Sequence, residues 1–551
     1  MRVLVNEEDL PKIEKVLEEQ DREALKDRWG RYHSASYSNK KGKARIEISK
    51  FAPSSLEGLR DFLDSKATAG DRSAGISRSQ VIQWIELKKD PGGQTVTKLE
   101  SVESAMREYI GTSEHRYVFE LRQDGFFLPW FVTNISYESA REYCPAKVVI
   151  VLASNESMSR RNSGRDSKSI QIMADNFKKR TMSQILEHFG YFLETPERMA
   201  SYEDEVNRWF EYERRDGFQM SVTGKALIMG GWYDRGYRPV GSDGMPAKMV
   251  VDPAGSEASE QIMVEAKIWD DREDADEKDP LLWRLPYHPV IQMFDLAEHV
   301  NYIVHINAME PYKYDKNVGS KLVLPADIKD FTETLIEFSG EVFEDIVSGK
   351  SGGTIVLIEG QPGIGKTLTA EVYSEVMERP LYKVQSSQLG TSPKQLEEEL
   401  GTVLKRASRW GAILLIDEAD VYIHERGQDI VQNAVVGVFL RVLEYYRGVL
   451  FMTTNRGTMV DDAIISRLTA RLSYDLPDVD QQQKLWKVLA EQNGVTLSDQ
   501  MVEQLVKELP DLSGRDIKNL LKLGIVVARK RKGELTVEDL KFVNRFRQSK
   551  R

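Results

Sequence analysis

The alternation of apolar and polar positions changes character near residue 320. From Met1 to about Pro280, short runs with strand character (Tyr117–Leu121, Phe126–Val132 and Val148–Leu152) alternate with helical stretches such as Met182–Phe192 and Tyr202–Arg214. This pattern predicts an α+β region of one or two domains. Two polar segments interrupt it: Ser154–Lys168, rich in Arg and Ser, and Gly241–Pro280, which contains the acidic run DDREDADEKDP. Both read as exposed loops. Leu285–Val318 holds His288, His299 and His305 among several tyrosines. The histidine spacing does not follow the i, i+3, i+4 rule of a helical metal face, so the stretch reads as a packed connector over residues 281–320.

After Lys321 a turn at Pro325 precedes an amphipathic helix, and Thr354–Ile358 is an unbroken apolar run, mostly β-branched. Such a run suits a strand buried on both faces of a parallel sheet. Similar runs recur at Leu381–Val384, Ala412–Ile416, Val449–Thr453 and Leu472–Leu476, separated by helical stretches. They predict a doubly wound α/β domain whose ligands bind at the carboxyl ends of its strands.

A length of 551 residues exceeds what one core supports and predicts two to four domains. The 76 basic against 87 acidic side chains give a charge of −11, which argues against a general nucleic-acid coat. Cys144 is the only cysteine, so neither an intrachain disulfide nor a cysteine zinc site can form. A reducing, cytoplasmic setting is expected. The opening MRVLVNEEDLPKIEKVLEEQ has acids where a secretory leader needs an apolar core, and no window approaches the ~20 apolar residues of a membrane span.

The candidate chemistry follows the first apolar strand. Gly360, Gln361, Pro362, Gly363, Ile364, Gly365, Lys366 and Thr367 satisfy G-x-x-x-x-G-K-[ST] in full, with Leu368 next in the ensuing helix. Glycines let backbone N–H groups turn toward phosphates; Lys366 reaches the β- and γ-phosphate oxygens, and the Thr367 hydroxyl serves Mg²⁺. The strand Ala412–Ile416 ends in Asp417 and Glu418. Adjacent positions at a strand end diverge, so Asp417 can serve the metal while Glu418 polarises the attacking water. Asp420 reads as a helix cap. Asn455, at the end of Val449–Thr453, can orient the water, and Arg467, Arg471 and Arg515 are candidates for positive charge at the γ-phosphate. Such an arginine contributes roughly 10³ to 10⁵ in rate.

In this order the motifs resemble the AAA+ ATPases of the branch with a second region of homology. GQPGIGKT is similar to Walker A, ILLIDEAD to Walker B, Thr453–Asn455 to sensor 1, Asp462–Arg467 to the arginine-finger segment and Leu512–Ile517 to the sensor-2 helix. The resemblance covers about Lys321–Phe546. It implies an ATPase using ATP and Mg²⁺, a five-stranded large domain at 321–478, a helical lid at 479–551 and a homo-oligomer, with a hexameric ring favoured. Arg467 and Arg471 would act on a neighbour's nucleotide, Arg515 on its own, and Gly319–Val323 would lie near the adenine. The finger segment reads ISRLTAR, and Ser386–Thr391 has no aromatic where protein-threading relatives carry one.

The leading expectation is a machine that remodels a protein partner chosen by an N-terminal region, residues 1–280, where Gly230–Tyr237 offers exposed aromatics. A nucleic-acid motor or loader is the second reading, on Ala528–Lys532, Arg545–Arg551 and Arg160, Arg161 and Arg165. A nucleotide-controlled assembly switch is the third.

Overall fold

A computed structural model describes residues 2–22, 25, 43–48, 51–89, 95, 98–141, 144–155, 165–229, 236–241, 244–253, 285–337, 353–390, 392–455 and 459–548. The chain forms two compact units, one of Met1–Arg215 with Met220–Pro311, the other of Asp216–Gln219 with Tyr312–Arg551.

The first unit is built on antiparallel pairing. One five-stranded sheet runs in the order Arg165–Ile172, Lys147–Asn155, Phe127–Glu138, Tyr117–Leu121, Tyr191–Leu193, and its apolar face packs on the helix Leu99–Gly111. A seven-stranded sheet contains Val290–Asp295, Asn301–His305 and Met309–Pro311. The expected connector at 281–320 therefore contains three strands, and it contributes to a core: Val290, Met293, Phe294, Tyr302 and Val304 are all buried.

Three other expectations shift. Ala247–Val251, inside the expected loop Gly241–Pro280, is a strand with Met249, Val250 and Val251 buried, while 254–280 lies outside the described residues. The strand Arg165–Ile172 begins inside the expected loop Ser154–Lys168, pairing residue for residue with Val148–Asn155. The helix at Met182 ends at His188, and the apolar Tyr191–Leu193 instead pairs with Tyr117–Leu121. Of Gly230–Tyr237, residues 230–235 lie outside the described residues, as do Arg160 and Arg161.

The second unit centres on a five-stranded parallel sheet of β1 (Thr354–Gly360), β2 (Leu381–Gln385), β3 (Ile413–Asp417), β4 (Val449–Asn455) and β5 (Ala470–Tyr474), in the order β2-β3-β4-β1-β5. Ile413 to Ile416 and Leu450 to Met452 are fully buried, as strands covered on both faces require. The register sets Gly360 against both Asn455 and Tyr474, and Gln385 against Asp417. The carboxyl ends of all five strands thus lie level.

Helix α1 (Lys366–Val376) follows β1, α2 (Pro393–Arg409) precedes β3, and α3 (Asp420–Ile423), α4 (Ile430–Leu443) and α5 (Asp462–Ile465) flank β4. Four helices follow the sheet: α6 (Val479–Gln492), α7 (Asp499–Glu508), α8 (Gly514–Lys530) and α9 (Val537–Gln548). They close on their own core of Trp486, Leu505, Ile517, Leu520, Leu521 and Leu540. Asp478, Ser498 and Ser513 cap α6, α7 and α8 by accepting an N–H from the third helical residue, which fixes where each helix begins. Among the described residues no helix is long and apolar enough to cross a membrane.

Candidate active site

The loop between β1 and α1 turns on glycines whose backbone angles strain any other residue. Gly365 is the N-cap of α1 at φ +106°. Gly363 has φ +87°, and a Cβ there would lie 2.8 Å from Cβ of Arg515 and 3.0 Å from Oγ of Ser513. The backbone of α8 is tied to the same point, since the Arg515 N–H donates to the Gly363 carbonyl at 3.1 Å. Arg515 therefore stands at the loop's tip, brought there by the four-helix bundle rather than by the sheet.

Lys366 folds onto its own loop, donating to the carbonyls of Gly360 at 2.6 Å and Gln361 at 3.0 Å, with Asn455 Oδ1 at 3.4 Å. Burial lowers its pKa from the usual lysine value, against the pull of Asp417 and Asp420. The charge on Arg515 acts in the same direction as burial.

Asp417 ends β3 and receives three donors. The Thr453 hydroxyl donates to Oδ1 at 2.6 Å, the Thr367 hydroxyl lies 3.0 Å from Oδ1 and 3.3 Å from Oδ2, and Lys383 Nζ pairs with Oδ2 at 3.0 Å. Burial pushes the carboxyl upward, but the donors Thr453 and Lys383 outweigh it and hold the group below the usual aspartate range. Glu418, next along the chain, has φ +57° and is exposed. A non-glycine residue in the left-handed region costs of order 1–3 kcal/mol, so surrounding contacts must fix it. One contact is the Glu418 N–H bond to Thr453 Oγ at 2.9 Å. Thr453 thus holds both acids from the neighbouring strand.

Asp420 is the first residue of α3, with Ala419 at the N-cap position. Its carboxylate accepts from the Thr454 hydroxyl and, at 3.3 Å, from the Asn455 N–H, which anchors the end of β4 to the turn after β3. The sequence offers no direct cue for this, because the bond is formed across strands.

Of the sequence-derived residues, the structure brings together the loop 360–367, Asp417, Asn455 and Arg515, and sets Glu418 on the same strand end as Asp417. It does not bring Arg467 or Arg471 to them. Arg467 donates to the Ala463 carbonyl at 3.0 Å and pairs with Glu444 at 3.7 Å. Arg471 makes a two-pronged contact with Glu359, 3.2 Å from Nε to Oε1 and 2.9 Å from Nη2 to Oε2. Glu359 belongs to β1 and Arg471 to β5, its neighbour in the sheet. Lys383 went unassigned in the sequence, and Thr453 was read only as part of the sensor-1 segment. The signal for Lys383 was a lysine inside the otherwise apolar strand Leu381–Val384.

The loop after β2 also differs from a gripping loop. Leu389 is buried, and the Tyr422 hydroxyl reaches the carbonyls of Ser386 at 2.6 Å and Gly390 at 2.9 Å. Gly319, expected near an adenine, packs against Val376 at the far end of α1.

Residues 356–476 match the family model for AAA, the ATPase family associated with various cellular activities. The second unit carries an AAA domain. The chain is 29% identical over 204 residues to the ATP-dependent zinc metalloprotease FtsH of Streptobacillus moniliformis, a match covering 34% of this chain and 29% of that protein. It is 26% identical over 290 residues to the 26S proteasome regulatory subunit 4 homolog of Oryza sativa subsp. japonica, covering 49% and 63%. The corresponding homolog of Dictyostelium discoideum is 28% identical over 218 residues, covering 36% and 48%. The chain thus spans less than two thirds of the length of each of these relatives. The AAA match ends after β5 and leaves the bundle that carries Arg515 outside it.

Proposed function

We propose that the AAA domain hydrolyses ATP with Mg²⁺, within a homo-oligomer that remodels a protein partner selected by the first unit. The observation that carries this reading is the meeting of Lys366, Thr367 and Asp417 at the level ends of β1 and β3. Lys366 exchanges the carbonyls of Gly360 and Gln361 for phosphate oxygens, and the backbone N–H groups of the loop and of α1's first turn face the same anion. Thr367 and Asp417 fit Mg²⁺ by donor chemistry, a hydroxyl and a carboxylate held side by side. When bound, the ion neutralises charge on the phosphates.

Glu418 takes the proton of the attacking water, and Asn455, steadied by Asp420, orients that water. Arg515 adds positive charge from the bundle, which acts as a lid. Arg467, tied within its own subunit to Ala463 and Glu444, serves the γ-phosphate of a neighbouring one. The proteasomal and FtsH relatives support a protein as the partner. Zinc metalloprotease activity is not proposed, since this sequence lacks H-E-x-x-H: His424-Glu-Arg-Gly is followed by Gln428.

A second reading, a nucleotide-controlled assembly switch, is favoured by the buried Leu389 and the loop held by Tyr422, which leave no exposed apolar side chain among the described residues 386–390 to grip an extended polypeptide. A loosely folded protein that stimulates ATPase turnover supports the first reading; nucleotide-dependent assembly without such stimulation supports the second. ATPase stimulation by DNA, lost at raised salt, overturns both. For the site itself, Glu418→Gln is expected to bind ATP and not turn it over, and full turnover in that variant rules out the role given to Glu418.

A further inference from the structure

Lys383 takes no part in the mechanism above, yet it makes the closest charged contact to the carboxylate assigned to the metal. Its Nζ lies 3.0 Å from Oδ2 of Asp417. It reaches there because Lys383 sits on β2 two residues before Gln385, the residue in register with Asp417, so both β2 side chains share a face of the sheet. The lysine side chain is 36% exposed and the Asp417 side chain 18%, which leaves Lys383 free to move outward while Asp417 stays fixed by Thr453.

We propose that Lys383 is the resident counter-ion of Asp417, against which a divalent cation exchanges, so that it lowers the metal affinity of the nucleotide site. The proposal rests on the reading of Asp417 as the metal carboxylate. A carboxylate oxygen that serves an ammonium cannot serve a divalent cation equally well. Two positive groups within about 4–6 Å repel strongly even at an effective dielectric of about 20. Lys383 must therefore swing toward solvent when the ion arrives, and its return favours release of the ion. Lys383 acts through Asp417 and is a positioning residue. The Thr367 hydroxyl does not compete in this way, since in donating its hydrogen to Asp417 it keeps lone pairs for a cation.

The experiment is a titration of the full chain with MgCl₂ in the presence of N-methylanthraniloyl-ADP, following nucleotide fluorescence rather than turnover. Lys383→Gln keeps a polar side chain and removes the charge, and it is expected to lower the half-saturating MgCl₂ concentration by about tenfold. Lys383→Arg keeps the charge and is expected to leave that concentration within about twofold of the wild type. An unchanged or raised concentration in Lys383→Gln overturns the proposal. Asp417→Asn separates this outcome from failure of the underlying reading: it should abolish the Mg²⁺ response in every background. A Mg²⁺ response that survives Asp417→Asn removes Asp417 from the metal site, and the role of Lys383 with it.

Discussion

In the parallel sheet of the second unit, strands run the same way and stop level, so side chains from residues 360 to 455 converge on one edge and the bundle adds Arg515. In the antiparallel sheets of the first unit, successive strands stop at opposite edges, and some of the polar groups that meet do so inside the core. Glu205 is the clearest case. It is buried on the helix Pro196–Tyr212, accepts from Asn307 Nδ2 at 2.7 Å, and has His305 Nε2 3.8 Å from its other oxygen. His305 in turn stacks on Phe126 at 4.5 Å. The same residue type thus has two fates: at the level strand ends Glu418 is exposed, whereas Glu205 is a core group whose pKa burial pushes up to about 7.

The sharpest way to break this contrast is to disable one strand-end carboxylate. Glu418→Gln is expected to cut kcat by roughly 10² to 10⁴ with nucleotide binding intact. Lys366→Ala should instead lose nucleotide binding, as measured with fluorescent ATP. Equal loss of binding in both variants would make Glu418 a structural residue like Glu205. Arg467→Ala is expected to cost up to roughly 10³ in turnover. Mixing it with Lys366→Ala should restore part of that turnover, because each subunit then lacks a different half of a shared site. Absence of any rescue counts against action between subunits.

Gly363→Ala tests the join between sheet and bundle. A Cβ at φ +87° and 2.8 Å from Arg515 adds strain of about 1–3 kcal/mol, so nucleotide affinity should fall roughly ten- to a hundredfold. Unfolding of the first unit should not change.

In the first unit the expected effect is on stability and depends on pH. Burial raises the Glu205 pKa from 4.5 to about 7, against the hydrogen bond from Asn307 and the charges of Arg208 and Arg198. Between these values the folded state keeps a proton that the unfolded chain releases, so this group makes stability fall as pH rises toward 7. His288 and His305 act oppositely: burial lowers both from 6.5, His288 to about 3, so each weakens the fold as pH falls below 6.5. Comparing Glu205→Gln with wild type isolates the carboxyl. The variant's melting temperature should gain more at pH 8 than at pH 5, and an equal gain at both would show that Glu205 is not held neutral.

How much of this was legible follows from the same contrast. A parallel strand covered on both faces is an unbroken apolar run, and its loop carries the chemistry immediately after it, so β1 with 360–367 and β3 with Asp417 and Glu418 could be read directly. The ends of β5 were shifted by two residues, because its outward Arg471 and Ser473 break the run. What could not be read was formed across strands: Thr453 holding both acids, Asp420 holding Asn455, and Lys383 on Asp417. The first unit's strands at 247–251 and 290–311 were hidden for a related reason, since short antiparallel strands lie among polar residues and acquire their pattern only from partners distant in sequence.

Arg471 offers the smallest effect and the finest discrimination. Its sequence position suits a second finger, but its guanidinium is joined by two contacts to Glu359 on the adjacent strand, and it is partly exposed. An exposed ion pair of good geometry contributes about 0.2–1 kcal/mol, so Arg471→Ala should lower the melting temperature of the second unit by a few degrees at most. Turnover should stay within about twofold of wild type, and Glu359→Ala should reproduce the same small shift, because either change removes the same tie between β1 and β5. A turnover loss matching that of Arg467→Ala, with Glu359→Ala silent, would mean that the arginine leaves its sheet partner to reach a neighbouring subunit. A residue of the edge strand β5 would then belong to the shared site after all, and a sheet contact alone would not separate the groups that hold the sheet from the groups that face the nucleotide.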